Sequence, residues 1–184
     1  MTRVYFVRHA QPEHDWEEDR TRPLTEEGKK DSAIVLEFLK DKKIDAFYCS
    51  PYKRSVETIA EAADFFTKEI ITDERLRERE KGLDGNNHGM FRKRWADHNY
   101  HEEGGESIAM VQKRNIEALN EILSDNTDKD IVIGTHGTAL STILNFYDNN
   151  FGCEDFLRII DWMPYIIELD FESSCNELEF ECPS

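Results

Sequence analysis

Hydrophobic residues recur along the chain in two alternating rhythms. Short runs rich in β-branched and aromatic residues (Val4 to Val7, Phe47 to Ser50, Ile70 with Ile71, and Ile131 to Ile133) predict strands, the first of them buried. Between them lie stretches whose apolar positions return at helical spacing. Thr25 predicts the cap of a helix presenting Ala33, Leu36 and Leu39, with Ile34 and Phe38 widening that face. A second helix runs from Ser55 to Phe66 and places Val56, Ile59, Ala60 and Ala63 together. A third is capped by Ser107 and turns Ile108, Val111, Leu119, Ile122 and Leu123 inward, and a fourth spans Thr138 to Tyr147. Ile166 to Phe171 and Glu177 to Phe180 read as a closing hairpin around Ser173, Ser174 and Asn176.

Strand and helix alternating in this way imply an α/β fold, a three-layer α/β/α sandwich with a mostly parallel central sheet. No repeat or linker interrupts the pattern, so residues 1–184 are expected to form one domain. One stretch breaks the rhythm. From Arg77 to Gly105 the chain is polar, rich in Gly, Asn and His, and without sustained period. It reads as a functional loop, residues 77–105, with a short helix around Phe91 to Trp95. Met90, Phe91 and Trp95 there either cap the core or line an apolar substrate rim.

Composition narrows the class. An apolar fraction of 39% with only 9 Gly and 5 Pro excludes a disordered or collagen-like polymer. The net charge of −16 repels nucleic acid and anionic membranes, so neither is an expected partner. Cys49, Cys153, Cys175 and Cys182 form no Cys-x-x-Cys pair and read as reduced thiols. The first residues hold a four-residue apolar run, too short for a signal peptide, and no later stretch reaches the length of a membrane span. A soluble, cytoplasmic protein is expected; the oligomeric state is left open.

Parallel sheets bind ligands beyond the carboxyl ends of their strands. Three predicted strands end in reactive groups: Arg8-His9, Ser50 with Arg54 shortly after, and Thr135-His136-Gly137. Two guanidinium forks and two imidazoles on one edge make an anion site, and a phosphoryl group is its natural occupant. Gly134 and Gly137 permit the tight strand-to-helix turn that a phosphate-facing group needs.

These segments, with Pro23-Leu24-Thr25-Glu26-Glu27-Gly28, Ser50 to Thr58, Leu76-Arg77-Glu78 and Gly104-Gly105-Glu106-Ser107, resemble the histidine phosphatase superfamily in family order. That group contains cofactor-dependent phosphoglycerate mutases and many small phosphatases. The resemblance implies a phosphoglycerate mutase-like fold. It implies His9 as the nucleophile that takes the phosphoryl group, and Arg8, Arg54 and His136, with Gly137, as its clamp. Glu78 becomes the acid that protonates the leaving oxygen and then draws a proton from the attacking water. Glu74, Glu80 and Glu106 are alternative acids. The scheme requires no metal and no cofactor.

The chain departs from the family's common forms at Asp31, Ser32, Tyr52 and Ile59, none of them expected at the clamp. The segment Glu13 to Arg20 lacks the mutase pattern, which favours a phosphatase acting on a small phosphomonoester. A phosphoglycerate mutase is the first alternative, and a catalytically silent phospho-ligand binding protein the second. The acidic run Glu13 to Asp19 is either a solvated loop or pocket lining. His98-x-x-His101 has metal-like spacing but sits in a polar loop where short matches are mostly chance. His9 to His14 is one residue too long for a zinc protease motif, and Pro12 would break the helix that motif needs.

Overall fold

The computed structural model describes residues 1–83 and 88–172. Its elements in chain order are β1 (Thr2–Arg8), α1 (Glu26–Leu39), β2 (Ala46–Cys49), α2 (Lys53–Phe65), β3 (Ile70–Thr72), α3 (Phe91–Ala96), α4 (Ile108–Asp125), β4 (Asp130–Thr135), α5 (Gly137–Tyr147), α6 (Cys153–Ile159) and β5 (Tyr165–Phe171). The strands form one five-stranded sheet in the order β3-β2-β4-β1-β5. β1 to β4 are mutually parallel, and β5 runs antiparallel to β1 at the edge.

Alternation along the strands builds two cores. Val4, Phe6, Ile131 and Ile133 face one way and pack against Leu119 and Ile122 of α4 and Leu140 and Ile143 of α5. Tyr5, Val7, Phe47 and Val132 face the other way, against Val35 and Leu39 of α1 and Ile59, Ala62 and Ala63 of α2. Each fully buried side chain of this size contributes roughly 1.5–3 kcal/mol of transfer free energy. Helices therefore cover both faces of a mostly parallel sheet. A third cluster joins Trp95, Ile108 and Phe156, tying α3 and α6 to the start of α4.

One expectation needs correction. The inward face of α1 is Gly28, Ser32, Val35 and Leu39, while Ala33, Ile34 and Phe38 are exposed. The cause is Gly28, which lies so close to the Gln11 carbonyl that any Cβ would overlap it. That contact sets the helix rotation before the apolar residues are reached. Phe38 instead meets the edge of Tyr5 at 6.1 Å under the Lys42 ammonium. The expected hairpin arm Ile166 to Phe171 exists as part of β5, which pairs with β1 along one side. The other arm, with Ser173, Ser174 and Asn176, lies outside the described residues. Helix α6 has no counterpart among the predicted elements; Phe156 and Ile159 are buried there, but seven residues are too few to display a period.

Candidate active site

Register brings the predicted groups to one edge of the sheet. Arg8, the last residue of β1, stands opposite Thr135, the last of β4, and Cys49 of β2 stands opposite Gly134. The ladder continues one step past each strand: His9 N–H donates to Thr135 O at 3.2 Å and Ser50 N–H to Gly134 O at 3.0 Å. The His9 and His136 rings consequently lie 5.2 Å apart. Arg54 enters from the first turn of α2, and His136 immediately precedes α5. Gly137 matters sterically, because a Cβ there would sit 3.3 Å from the Arg8 guanidinium. Arg8, His9, Arg54 and His136 are all at most 6% exposed.

The hydrogen bonds of His9 settle its tautomer. Nδ1 lies 2.8 Å from Ala10 O, a carbonyl that only accepts, so Nδ1 carries the proton and Nε2 keeps its lone pair. Burial, and then the charges of Arg54 and Arg8, hold this imidazole well below its ordinary pKa of 6.5. It is neutral at neutral pH. The following turn is tied to α2, since Ala10 N–H donates to Thr58 Oγ1 at 2.9 Å and that hydroxyl donates to Arg54 O at 2.7 Å.

His136 is lowered in the same way, by burial first and then by Arg54 and His9. Its Nε2 meets Ser50 Oγ at 2.7 Å, while Nδ1 is buried without a partner among the described residues. Arg8 Nη1 donates to the carbonyls of Ile159, at 2.9 Å, and Ile160, just beyond α6; Arg8 Nε is buried without a partner among the described residues. Arg54 Nη1 donates to Asp19 O at 2.7 Å and to Asp19 Oδ1 at 3.1 Å. Tyr52, expected away from the clamp, is part of it: its ring lies 5.1 Å from the Arg54 guanidinium carbon and 5.2 Å from the His136 ring. The stacking preference of a planar guanidinium accounts for the contact.

Glu78 crosses the N-terminus of α5. Its carboxylate accepts N–H groups from Arg79 at 2.8 Å, Thr138 at 3.0 Å and Ala139 at 3.1 Å. The last two are donors that a helix leaves without intrahelical partners. Glu78, Arg54 and Thr138 line one cavity of about 190 Å³, with Arg79, Lys81 and Trp95 on its far wall. A second cavity of about 530 Å³ holds Arg8, His9 and His14 against apolar Leu157, Ile160 and Met163. Arg22, Arg54 and Phe91 border both, so the two cavities adjoin there. Phe91 and Trp95 thus serve as rim and core together.

The alternative acids are engaged elsewhere. Glu106 accepts from Arg114 through both oxygens at 2.8 Å, from Arg77 at 2.9 Å and from Glu80 N–H at 2.9 Å. Burial raises its pKa, but these hydrogen bonds outweigh it and hold the carboxyl low. Glu74 pairs with Arg20, and Glu80 is exposed. Arg114, a residue that local pattern does not single out, also donates to the carbonyls of Arg75 and Arg77 at 2.7 Å and of Glu78 at 3.0 Å. It sets the path of the backbone that carries Glu78. Further along the loop, Glu102 joins Arg79 at 3.3 Å to Arg94 at 2.8 Å in a buried triad.

Of the acidic run, Glu13, Asp15, Glu17 and Glu18 are exposed, and Asp19 alone reaches the Glu78 cavity. The His98 ring packs on Trp95 at 5.7 Å, and His101 Nδ1 bonds Glu102 O at 3.0 Å. Among the described residues no cluster of three or more potential metal ligands occurs. Cys49 and Cys153 are free thiols, and burial pushes Cys49 up to about 12. Among the described residues no helix is long and apolar enough to cross a membrane.

The histidine phosphatase superfamily (branch 1) profile matches residues 4–159, which take in His9, Arg54, Glu78 and His136. The chain belongs to the histidine phosphatase superfamily. Phosphoserine phosphatase 1 of Hydrogenobacter thermophilus is 29% identical over 154 residues, 74% of this chain and 71% of that protein. A 2,3-bisphosphoglycerate-dependent phosphoglycerate mutase of Thermoplasma acidophilum is 42% identical, but over 53 residues, 29% of this chain and 26% of that one. Among solved structures, phosphoserine phosphatase of Entamoeba histolytica with 3-phosphoglyceric acid superposes with a TM-score of 0.78 at 22% identity, over 100% of this chain and 98% of that one. Mycobacterial glucosyl-3-phosphoglycerate phosphatase gives 0.78 at 17% identity, over 92% and 91%. As a histidine phosphatase, the protein is a phosphoric monoester hydrolase acting on small molecules.

Proposed function

We propose that this phosphatase works through a phosphohistidine on His9, with residues 1–184 acting as one catalytic domain. Nε2 of the neutral imidazole attacks phosphorus as the bond to the leaving alcohol breaks. Arg8, Arg54 and His136 hold the equatorial oxygens, where the transferring group carries most of its charge. Arg8 and Arg54 line the adjoining cavities, which supports their share of that assignment. Glu78 delivers a proton to the alcohol oxygen, then takes one from the water that attacks the phosphohistidine. Cleavage of the P–N bond releases phosphate and restores the neutral imidazole. A cytoplasmic location fits the free thiols Cys49 and Cys153.

The observation that carries this reading is the state of His9: a proton fixed on Nδ1 by Ala10 O, and a pKa held low by burial and two arginines. Wild-type enzyme mixed with O-phosphoserine, then with p-nitrophenyl phosphate, and quenched in alkali should yield a phosphorylated peptide containing His9. His9→Ala should yield none, and turnover should fall by more than about 10³-fold while inorganic phosphate still binds. Near-normal turnover in His9→Ala would refute the covalent route. O-phosphoserine heads the substrate panel because the Hydrogenobacter relative is a phosphoserine phosphatase. A coupled mutase assay with and without bisphosphoglycerate tests the mutase alternative, and hydrolysis of the aryl ester excludes a silent binder.

A further inference from the structure

Asp19 occupies an unusual place for a carboxylate. Its Oδ1 lies 3.1 Å from Nη1 of Arg54 and 3.0 Å from Nη1 of Arg22, on the wall of the cavity that contains Glu78. Its own carbonyl takes a second hydrogen bond from Arg54 Nη1 at 2.7 Å. Arg22 is steadied from behind by Trp16 O at 3.1 Å. The loop carrying these residues is fastened at both ends, by Glu13 N–H to Pro23 O at 2.9 Å and Lys53 N–H to Arg20 O at 3.0 Å. The remaining guanidinium nitrogens of Arg54 have no protein partner among the described residues.

We propose that Asp19 is a positioning residue that also sets the strength of the phosphoryl clamp, a role resting on the reading of Arg54 as part of that clamp. Two acceptors on one nitrogen fix the guanidinium plane and leave its other edge for the phosphoryl oxygens. The carboxylate charge offsets part of the field from Arg54 and Arg22, which lowers affinity for the dianionic product and lets it leave. A negative charge a few ångströms from a bound dianion acts at partly buried sites with little screening. A residue that only anchored the loop would behave differently: removing it would loosen the clamp and weaken phosphate binding.

The two roles predict opposite signs. Asp19→Asn keeps an amide oxygen for Arg54 but loses the charge. Calorimetric titration with inorganic phosphate should show about fivefold or tighter binding than wild type. KM for a phosphomonoester should fall, with kcat unchanged or reduced by slower phosphate release. Asp19→Ala, which lacks the side-chain acceptor, should lower kcat by about tenfold as Arg54 loses its alignment. Glu17→Gln, which removes an exposed charge from the same loop, should stay within about twofold of wild type on every measure. Phosphate binding in Asp19→Asn at or below wild-type affinity would overturn the proposal, as would equal tightening in Glu17→Gln. Calorimetry with phosphate needs no turnover, so this result stands apart from the fate of the His9 intermediate.

Discussion

The strand-end cage and the loop wall line adjoining cavities that share Arg54, yet different forces hold them. Arg8 ends β1, His9 continues the hydrogen-bonded ladder one step past it, His136 follows β4 directly, and Arg54 rides on the first turn of α2. Their places follow from backbone geometry and burial. Glu78 rides on an irregular segment whose course is set by Arg114, Glu106 and a buried arginine–glutamate–arginine triad. The cage is built to concentrate fixed positive charge. In the proposed mechanism the wall lets an oxygen give and regain a proton, and long-range ion pairs can hold a polar loop near water without a hydrophobic core. Positioning by packing gives rigidity, whereas positioning by buried charge gives a site that a single substitution can detach.

The sharpest way to separate the halves is to disable the proton-transfer group alone. Glu78→Gln should slow alkyl phosphates by about 10²–10⁴-fold, and aryl phosphates by about tenfold or less, because a phenolate leaves without much protonation. Phosphate affinity, a property of the cage, should stay near wild type. Equal losses on both ester types in steady-state assays would take the acid role away from Glu78.

A smaller effect should follow from cutting the wall's anchor. Arg114→Met strands Glu106 and frees the carbonyls of Arg75, Arg77 and Glu78. Stability in urea should drop by about 2–4 kcal/mol, since both partners are largely buried. The kcat should fall by about ten- to a hundredfold, again with little change in phosphate binding. If phosphate affinity collapsed in parallel, cage and wall would be one mechanical unit.

The smallest effect belongs to the cage and reads its buried imidazoles. His9 and His136 have folded pKa values well below 6.5, the value near which they titrate when unfolded. Above about pH 6.5 both states are neutral and the two groups contribute no slope. As pH falls below that value, the unfolded chain takes up protons that the folded one refuses, so stability declines by at most about 1.4 kcal/mol per pH unit per histidine. Urea midpoints measured from pH 7.5 to 5.5 without phosphate should fall, and His136→Asn should flatten the decline. An unchanged slope in that variant would mean that His136 titrates normally in the folded protein.

Much of the fold and of the cage is legible in the order of residues alone. Short β-branched and aromatic runs mark the strands, and Arg8-His9, Arg54 and Thr135-His136-Gly137 lie where strand ends must converge. Glu78 is legible as an acid candidate through its surrounding motif. The motif is less informative about Glu106, which the same reasoning offers as a rival and which serves as the loop's anchor. Arg114 gives no local signal, and the acidic run does not single out Asp19, nor does the motif single out the contacts of Tyr52, because these roles consist of contacts with residues far away in the chain.

Sequence alone determined the layers, the parallel strand ends and which basic groups and imidazoles gather there, since these follow from hydrophobic periodicity and from chemistry carried within a few residues. Tertiary structure decided the rest: the rotation of α1 about Gly28, the pairing of β5 with β1, and which of four carboxyls stands over the helix terminus at Thr138 and Ala139. Those outcomes depend on steric exclusion at single atoms and on charge pairs that close across the fold. Such interactions act through space and leave no period in the chain.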